Sequence, residues 1–313
     1  MIPVMKPDFP LALTTPRPSP AAQAVYEYIC GLPGKGILAG QQEIPHPDLA
    51  DADELVYLQQ TTGKLPAVLG LDYIHYPGVT QRAVGWWKRG GLPSICWHWG
   101  APTKGEGYPA SKETVDIEAA LSPGTELNRV LMADLDRTAV ELARLRDAGV
   151  PVLWRPLHES NGGWFWWGKA GPKPFRRLWK LMHDHFTRTH QLDNLIWVCG
   201  FTAKPKAAWY PGDAYVDIAG ADNYATGPQR TMYEKLVRIV GPGRPVAYHE
   251  CGPIPDPDAL QAGNVNWVWF LTWHTKHIRE QNKPEYLRKV YHHPYVITLD
   301  QVPDLGRDRV FQF

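Results

Sequence analysis

VPVLWRPLHESNGGWFWWG, residues 150–168, carries two patterns in succession. Val150 to Trp154 is apolar without alternation, which is how a strand buried on both faces reads. The run ends in Arg155, His158 and Glu159 and then opens into four aromatic rings, Trp164, Phe165, Trp166 and Trp167. Polar and ionisable groups at the end of a buried strand are the arrangement of a parallel barrel, whose chemistry stands at the C-terminal ends of its strands.

Seven further apolar runs repeat the pattern: 35–40 (KGILAG), 65–73 (LPAVLGLDY), 92–99 (LPSICWHW), 194–200 (NLIWVCG), 216–224 (VDIAGADNY), 244–250 (RPVAYHE) and 266–273 (NWVWFLTW). Amphipathic segments fall between them. Residues 128–148 place Leu131, Leu135, Leu142 and Leu145 on one helical face, with Gly149 as a C′ residue. Residues 174–191 do the same with Phe175, Leu178, Trp179, Met182 and Phe186, and Pro172 and Pro174 suit the start. Eight strands alternating with helices predict an α/β fold, a (β/α)8 TIM barrel forming a single domain. A doubly wound sheet is the alternative. The expected organisation is an N-terminal extension and first helix over 1–30 and a catalytic domain over 31–313. The long Gly-, Pro- and Ser-rich stretch 101–127 is expected to shape a cleft, or else to be a surface insertion.

The chain of 313 residues has 33 basic and 32 acidic side chains, a formal charge of +1. That lacks the basic footprint a nucleic-acid partner or an anionic membrane needs. No apolar run approaches the ~18 residues of a membrane span. Residues 1–20 hold six prolines and no continuous apolar segment, so no signal peptide is recognisable. Cys30, Cys96, Cys199 and Cys251 are widely spaced and read as buried free thiols, with one disulfide left open. Aromatic content is the unusual feature: 14 Trp, 14 Tyr and 8 Phe. Many sit at the ends of apolar runs, where binding surfaces are built. Flat rings suit sugar faces or bases, and the missing positive charge favours sugar.

Several predicted strands end in polar residues: Asp72, His98, His158 with Glu159, Asp222 with Tyr224 beyond it, and His249 with Glu250. Glu159 and Glu250 share one local form, His-Glu after an apolar strand. Two carboxyls on separate strands are what glycoside hydrolysis uses, one to protonate the leaving oxygen and one to attack carbon or activate water. Strand alternation puts Arg155, Leu157 and Glu159 on one face. Arg155 then points into the barrel, where Asp72 or Asp222 is expected to pair with it, and its charge is expected to help keep Glu250 ionised.

These residues carry a resemblance. WRPLHESNGGWFWWG (154–168) resembles the signature of glycoside hydrolase family 26, best known for β-mannanases. GILAGQQE, TGKLPAVLGLDY, GGLPSICWHWGAP, VDIAGADNY, VAYHECGP, WFLTW and the tail YHHPYVITLDQVPDL resemble other parts of the family in the same order, after about residue 30. The resemblance implies a (β/α)8 barrel and a retaining double displacement without metal or cofactor. It makes Glu159 the acid/base and Glu250 the nucleophile, with carboxyls ~5–5.5 Å apart. Tyr224 resembles a tyrosine bonded to the nucleophile. His98 and His158 resemble sugar contacts near the cleavage point, Trp164 and Trp273 flanking platforms, and Asp222 is grouped with them as substrate-binding. Phe165 and Trp166 read equally as packing or as ligand contacts. Ser160 stands where the family often has Met or Phe, and His274 lies where distal contacts vary.

The reading is a retaining endo-β-1,4-mannanase acting on mannan, glucomannan, galactomannan or manno-oligosaccharides, as a monomer with no nucleic-acid or membrane partner. Alternatives are a β-1,3-xylanase, a mixed-linkage β-glucanase, an exo-acting manno-oligosaccharide hydrolase and a catalytically silent sugar-binding barrel. Substrate size points to a secreted or periplasmic protein, with intracellular trimming of short oligosaccharides the other location. Metal sites read poorly: His183 and His185 do not share a helix face, His292 and His293 are adjacent near a turn, and HExxH is absent. GKGILA (34–39) runs into a strand rather than following one, the reverse of a dinucleotide site.

Overall fold

The structure, a computed structural model, describes residues 12–44, 52–74 and 78–306. Eight parallel strands form where the eight apolar runs lie: β1 (Ile37–Gln42), β2 (Val68–Asp72), β3 (Leu92–Cys96), β4 (Val152–Arg155), β5 (Leu195–Thr202), β6 (Ile218–Asn223), β7 (Val246–Cys251) and β8 (Trp269–Thr272). Each pairs with the next, and β1 pairs with both β8 and β2, so the sheet closes. Closure decides for the barrel over the doubly wound sheet. Nearly every strand residue is buried, as expected of strands covered by helices outside and by one another's side chains within.

A ninth strand, β9 (Val296–Ile297), is one the sequence pattern does not announce. It pairs with Ile37 and Leu38 at the start of β1, whereas β2 pairs only with Gly40, Gln41 and Gln42. The two neighbours thus divide one edge of β1 between them, which satisfies backbone groups that would otherwise be buried without partners.

The predicted helix at 128–148 runs over Glu126–Asp147. It begins earlier because Thr125 caps it, accepting from the Asn128 N–H at 3.0 Å. It ends as expected, with Gly149 at φ 67°. Leu131, Leu135, Leu142 and Leu145 on its inner face are fully buried, each contributing about 1.5–3 kcal/mol of transfer free energy. The segment predicted over 174–191 begins at Pro172 and is α-helical only to Asp184; His185–Thr189 then form a π turn. Phe186 stays in the core through this wider turn.

All four cysteines are free, three of them buried and Cys30 half-buried. Two strand glycines make room at the barrel's centre. A Cβ on Gly200 would lie 2.7 Å from the His249 ring, and one on Gly220 would lie 2.5 Å from the His249 Cβ. The register also shifts between Ala221 and Asp222 against β7, and between Tyr248 and Cys251 against β8. Such irregularities re-aim side chains, and here they fall at His249 and Glu250. Among the described residues no helix is long and apolar enough to cross a membrane.

Candidate active site

Glu159 stands on the loop after β4. The strand stops at Arg155, and Leu157 and Glu159 take left-handed backbone conformations, φ 51° and 50°. The alternation that put Arg155, Leu157 and Glu159 on one face therefore fails, because it was carried past the end of the strand. Non-glycine residues held at positive φ are strained and persist only where their surroundings fix them. Here Ser160 donates its N–H to the Gly200 carbonyl at 3.1 Å, and Asn161 bonds Thr202 and the Lys204 carbonyl at 3.0 Å.

The aromatic loop divides by function. Phe165, Trp166 and Trp167 are buried. Phe165 and Trp167 stack at 4.5 Å, and the Trp166 and Trp167 indoles donate to the carbonyls of Trp99 and His158, both at 2.9 Å. The readings left open for Phe165 and Trp166 thus resolve to packing. Trp164 remains 40% exposed and donates its indole N–H to Glu159 Oε2 at 2.7 Å. Gly162 is what lets that ring settle: a Cβ there would lie 2.4 Å from it.

Glu250, at the end of β7, accepts from two donors. Arg155 Nη2 lies 2.9 Å from Oε1, and the Tyr224 hydroxyl lies 2.8 Å from Oε2. Arg155 is fully buried inside the barrel, as predicted, but its direct carboxylate partner is Glu250. The expected partners Asp72 and Asp222 are each engaged by a histidine. Asp222 Oδ1 lies 2.5 Å from His249 Nδ1. The other His249 nitrogen is 3.0 Å from Arg155 Nη1. Burial and then the Arg155 charge hold the His249 pKa well down, so a neutral ring bridges Asp222 and Arg155, accepting from the guanidinium. The chain Asp222–His249–Arg155–Glu250 locks the guanidinium in place. Asp222, 3% exposed, is brought to the flank of Glu250.

His98 and Asp72 are hydrogen-bonded through Nδ1 and a carboxylate oxygen, and Asp72 also accepts the His98 N–H at 3.1 Å. Burial works against the His98 charge, yet the Asp72 carboxylate outweighs it and its pKa is raised. His158, 1% exposed, lies behind it with Nε2 3.2 Å from His98 Nε2. Burial and then the His98 charge hold the His158 pKa well down. His98 Nε2 and His158 Nε2 thus share one hydrogen bond beside a neutral His158, whose Nδ1 has no hydrogen-bond partner among the described residues. Trp273 lies 6.2 Å from His98 between ring centroids and is half-buried at the rim.

The two glutamates differ in electrostatics. The Glu159 pKa is raised from 4.5 to about 7, by burial first and by the Glu250 charge second, with the Trp164 hydrogen bond opposing. The Tyr224 pKa is pushed well up by burial and then by Glu250, so its hydroxyl stays a donor. One carboxyl that keeps a proton near neutrality beside another held by a guanidinium and a phenol can deliver acid and nucleophile to the same bond. Asp72 with His98 and Asp222 with His249 are spent on each other, and the Arg155 charge beside both pairs disfavours a further cation.

Residues 14–301 match glycosyl hydrolase family 26. The chain belongs to this family. It is 40% identical over 315 residues to a mannan endo-1,4-β-mannosidase of Thermothelomyces thermophilus, covering 93% of this chain and 63% of that one. It is 33% identical to mannan endo-1,4-β-mannosidase A of a Piromyces species, covering 95% and 51%. The chain thus spans roughly half to two-thirds of the length of these relatives. Among solved structures, the GH26-CBM35 β-(1,4)-mannanase of Podospora anserina superposes with a TM-score of 0.87 at 34% identity, covering 96% of this chain and 71% of that one. A β-mannanase from a protist symbiont of the termite Reticulitermes speratus, complexed with gluco-manno-oligosaccharide, gives 0.85 at 35% identity, covering 93% and 97%.

Three supports of this family-26 site were not singled out by sequence. The link His249 makes between Asp222 and Arg155 is one. Gln42, whose Oε1 is 3.4 Å from Arg155 Nη2, is another. The third is Asp134, which accepts from the Trp99 indole at 2.9 Å. The first two lie on strands whose burial hides them, and Asp134 sits within a helical pattern that reads as surface. The loop after β3 does shape a cleft: a cavity of about 290 Å³ adjoins His98, lined by Trp99, Thr103, Glu106, Asp134 and Arg137 among others.

Proposed function

We propose that the chain is a retaining endo-β-1,4-mannanase that hydrolyses mannan, glucomannan or galactomannan by double displacement, with Glu159 as acid/base and Glu250 as nucleophile. The observation that carries the roles is the contrast between the two carboxyls: Glu159 with its pKa raised to about 7, Glu250 accepting from Arg155 and Tyr224. The relatives, mannan endo-1,4-β-mannosidases by name, support the substrate class.

In the first step Glu159 gives its proton to the glycosidic oxygen while a Glu250 oxygen attacks the anomeric carbon. The carbon–oxygen bond breaks, the aglycone leaves as an alcohol, and a glycosyl ester on Glu250 remains. In the second step Glu159, now ionised, takes a proton from water, the water oxygen attacks the same carbon, and Glu250 departs as carboxylate. Two inversions give retention. Trp164 engages Oε2 of Glu159, which leaves Oε1 for the proton in transit, and presents its exposed ring to a sugar face. A polymeric substrate implies an exported protein.

The test is reducing-sugar release from glucomannan, galactomannan, β-1,3-xylan and mixed-linkage β-glucan, with Glu159→Ala as the blank. Release from the mannans alone is expected. Release from xylan or glucan instead would keep the mechanism and overturn the substrate. Silence on all four from the folded protein would overturn the polysaccharide substrate and turn the reading first to short manno-oligosaccharides and then to a sugar-binding barrel.

A further inference from the structure

On the barrel's outer layer, Asp136 meets His185 and His190. Asp136 Oδ1 lies 2.7 Å from His185 Nε2 and 2.8 Å from His190 Nε2, and the two ring nitrogens are 3.2 Å apart. The histidines come together because of the π turn. Residues five apart on an α-helix point about 140° away from each other. Here the His190 N–H bonds the His185 carbonyl at 3.1 Å, the five-residue closure of a π-helix, and the rings lie 4.7 Å apart between centroids. π turns are rare and occur frequently at functional sites. Asp136 arrives from the middle of the helix Glu126–Asp147.

A triangle of three such atoms has three edges and at most two protons if both rings are neutral. Two N–H groups aimed at the carboxylate leave the nitrogens facing each other; one aimed at its neighbour leaves the carboxylate short. A cation above the triangle uses a lone pair from all three corners at once. Tetrahedral zinc, with Zn–N of about 2.0–2.1 Å, separates two imidazole nitrogens by about 3.3 Å, close to the 3.2 Å here. The carboxylate oxygen must move outward by roughly 0.5 Å to reach the same spacing. Asp136 is free to do so, since its side chain is 55% exposed. Two imidazoles and one carboxylate are a ligand set suited to zinc rather than to the hard, all-oxygen cations.

We propose that Asp136, His185 and His190 form a zinc site, with water completing the tetrahedron, that clasps the helix Glu126–Asp147 to the π turn. It is separate from the catalytic residues and adds stability without entering the hydrolysis. Zinc titrated into the chelator-stripped full chain, followed by calorimetry, should bind at about one equivalent with micromolar affinity. The melting temperature should rise by a few degrees at saturating zinc. His185→Ala with His190→Ala should abolish both effects and leave mannan hydrolysis unchanged. Asp136→Asn, which keeps size and polarity, should weaken zinc at least about tenfold. Absence of binding below millimolar zinc would overturn the site, and so would undiminished binding by the double variant. Unchanged affinity in Asp136→Asn would remove Asp136 from the ligand set. Because the readout is metal affinity, it is independent of the substrate assignment.

Discussion

Trp164 donates its indole N–H to Glu159 at 2.7 Å while its ring remains 40% exposed. One side chain therefore both keeps a flat face open to solvent and moderates the acidity of the proposed acid. A hydrogen bond to the charged form lowers a carboxyl pKa, and this one opposes the burial that raises Glu159 to about 7. Trp164→Phe keeps a ring and removes the donor. The basic limb of the kcat/KM profile should then move to higher pH. A basic limb that stays in place would show that Trp164 does not tune Glu159.

The same shift has a consequence for stability. The Glu159 pKa is higher folded, about 7, than its ordinary 4.5. The folded state thus holds the proton over that window while the unfolded chain has lost it. Stability relative to a neutral side chain is unaffected below about pH 4.5, falls as pH rises toward 7, and levels off above. Glu159→Gln should therefore be more stable than the parent at pH 8, by up to about 3 kcal/mol, and match it at pH 4. Thermal unfolding at the two pH values checks this. Equal melting at pH 8 would mean Glu159 is not destabilised by its surroundings.

Much of this was legible in the sequence because burial writes itself into strands. Eight apolar runs became eight strands, and the acids at their ends converge because a closed parallel sheet brings all C-terminal ends to one rim. What was hidden has physical reasons. β9 has only two residues, too short for any period. The turn at Leu157 and Glu159 depends on tethers to Gly200, Thr202 and Lys204, contacts made across strands. Arg155 was correctly placed inside, but choosing among Asp72, Asp222 and Glu250 requires cross-barrel distances. The π turn leaves the apolar spacing through Phe186 intact, so nothing in the hydrophobic pattern reveals it.

Arg155 and Glu250 form a buried ion pair at 2.9 Å. Removing one partner of such a pair leaves the other charge without compensation and costs about 3–5 kcal/mol. Arg155→Met should lower stability on that scale and nearly abolish turnover. Urea unfolding and mannan hydrolysis read the two effects. Glu250→Ala should also end turnover. Wild-type rate in that variant would displace Glu250 as nucleophile.

Tyr224 supplies the other hydrogen bond to Glu250, at 2.8 Å from a side chain 37% exposed. Hydrogen bonds to charged groups are worth about 1.5–3 kcal/mol, which corresponds to roughly 10- to 150-fold in rate if the bond matters most as the ester forms and breaks. Tyr224→Phe should lower kcat/KM within that range and leave the melting temperature nearly unchanged. A large loss of stability with normal turnover would make Tyr224 a packing residue.

His158 bears on sugar choice through His98. The two rings meet at 3.2 Å, and His158 is too buried, at 1% exposed, to present much surface itself. Mannose and glucose differ by one hydroxyl at C2, so discrimination requires a polar group held rigidly at that position. Asp72 fixes one nitrogen of His98 and His158 meets the other. Replacing His158 with Asn removes the ring that positions His98 while keeping a polar side chain. The ratio of kcat/KM on mannan to that on β-glucan should fall, by about tenfold for a loss of 1.4 kcal/mol of differential binding. An unchanged ratio, with both rates reduced alike, would place the His98–His158 pair in general support of the site and move the reading of the C2 hydroxyl elsewhere.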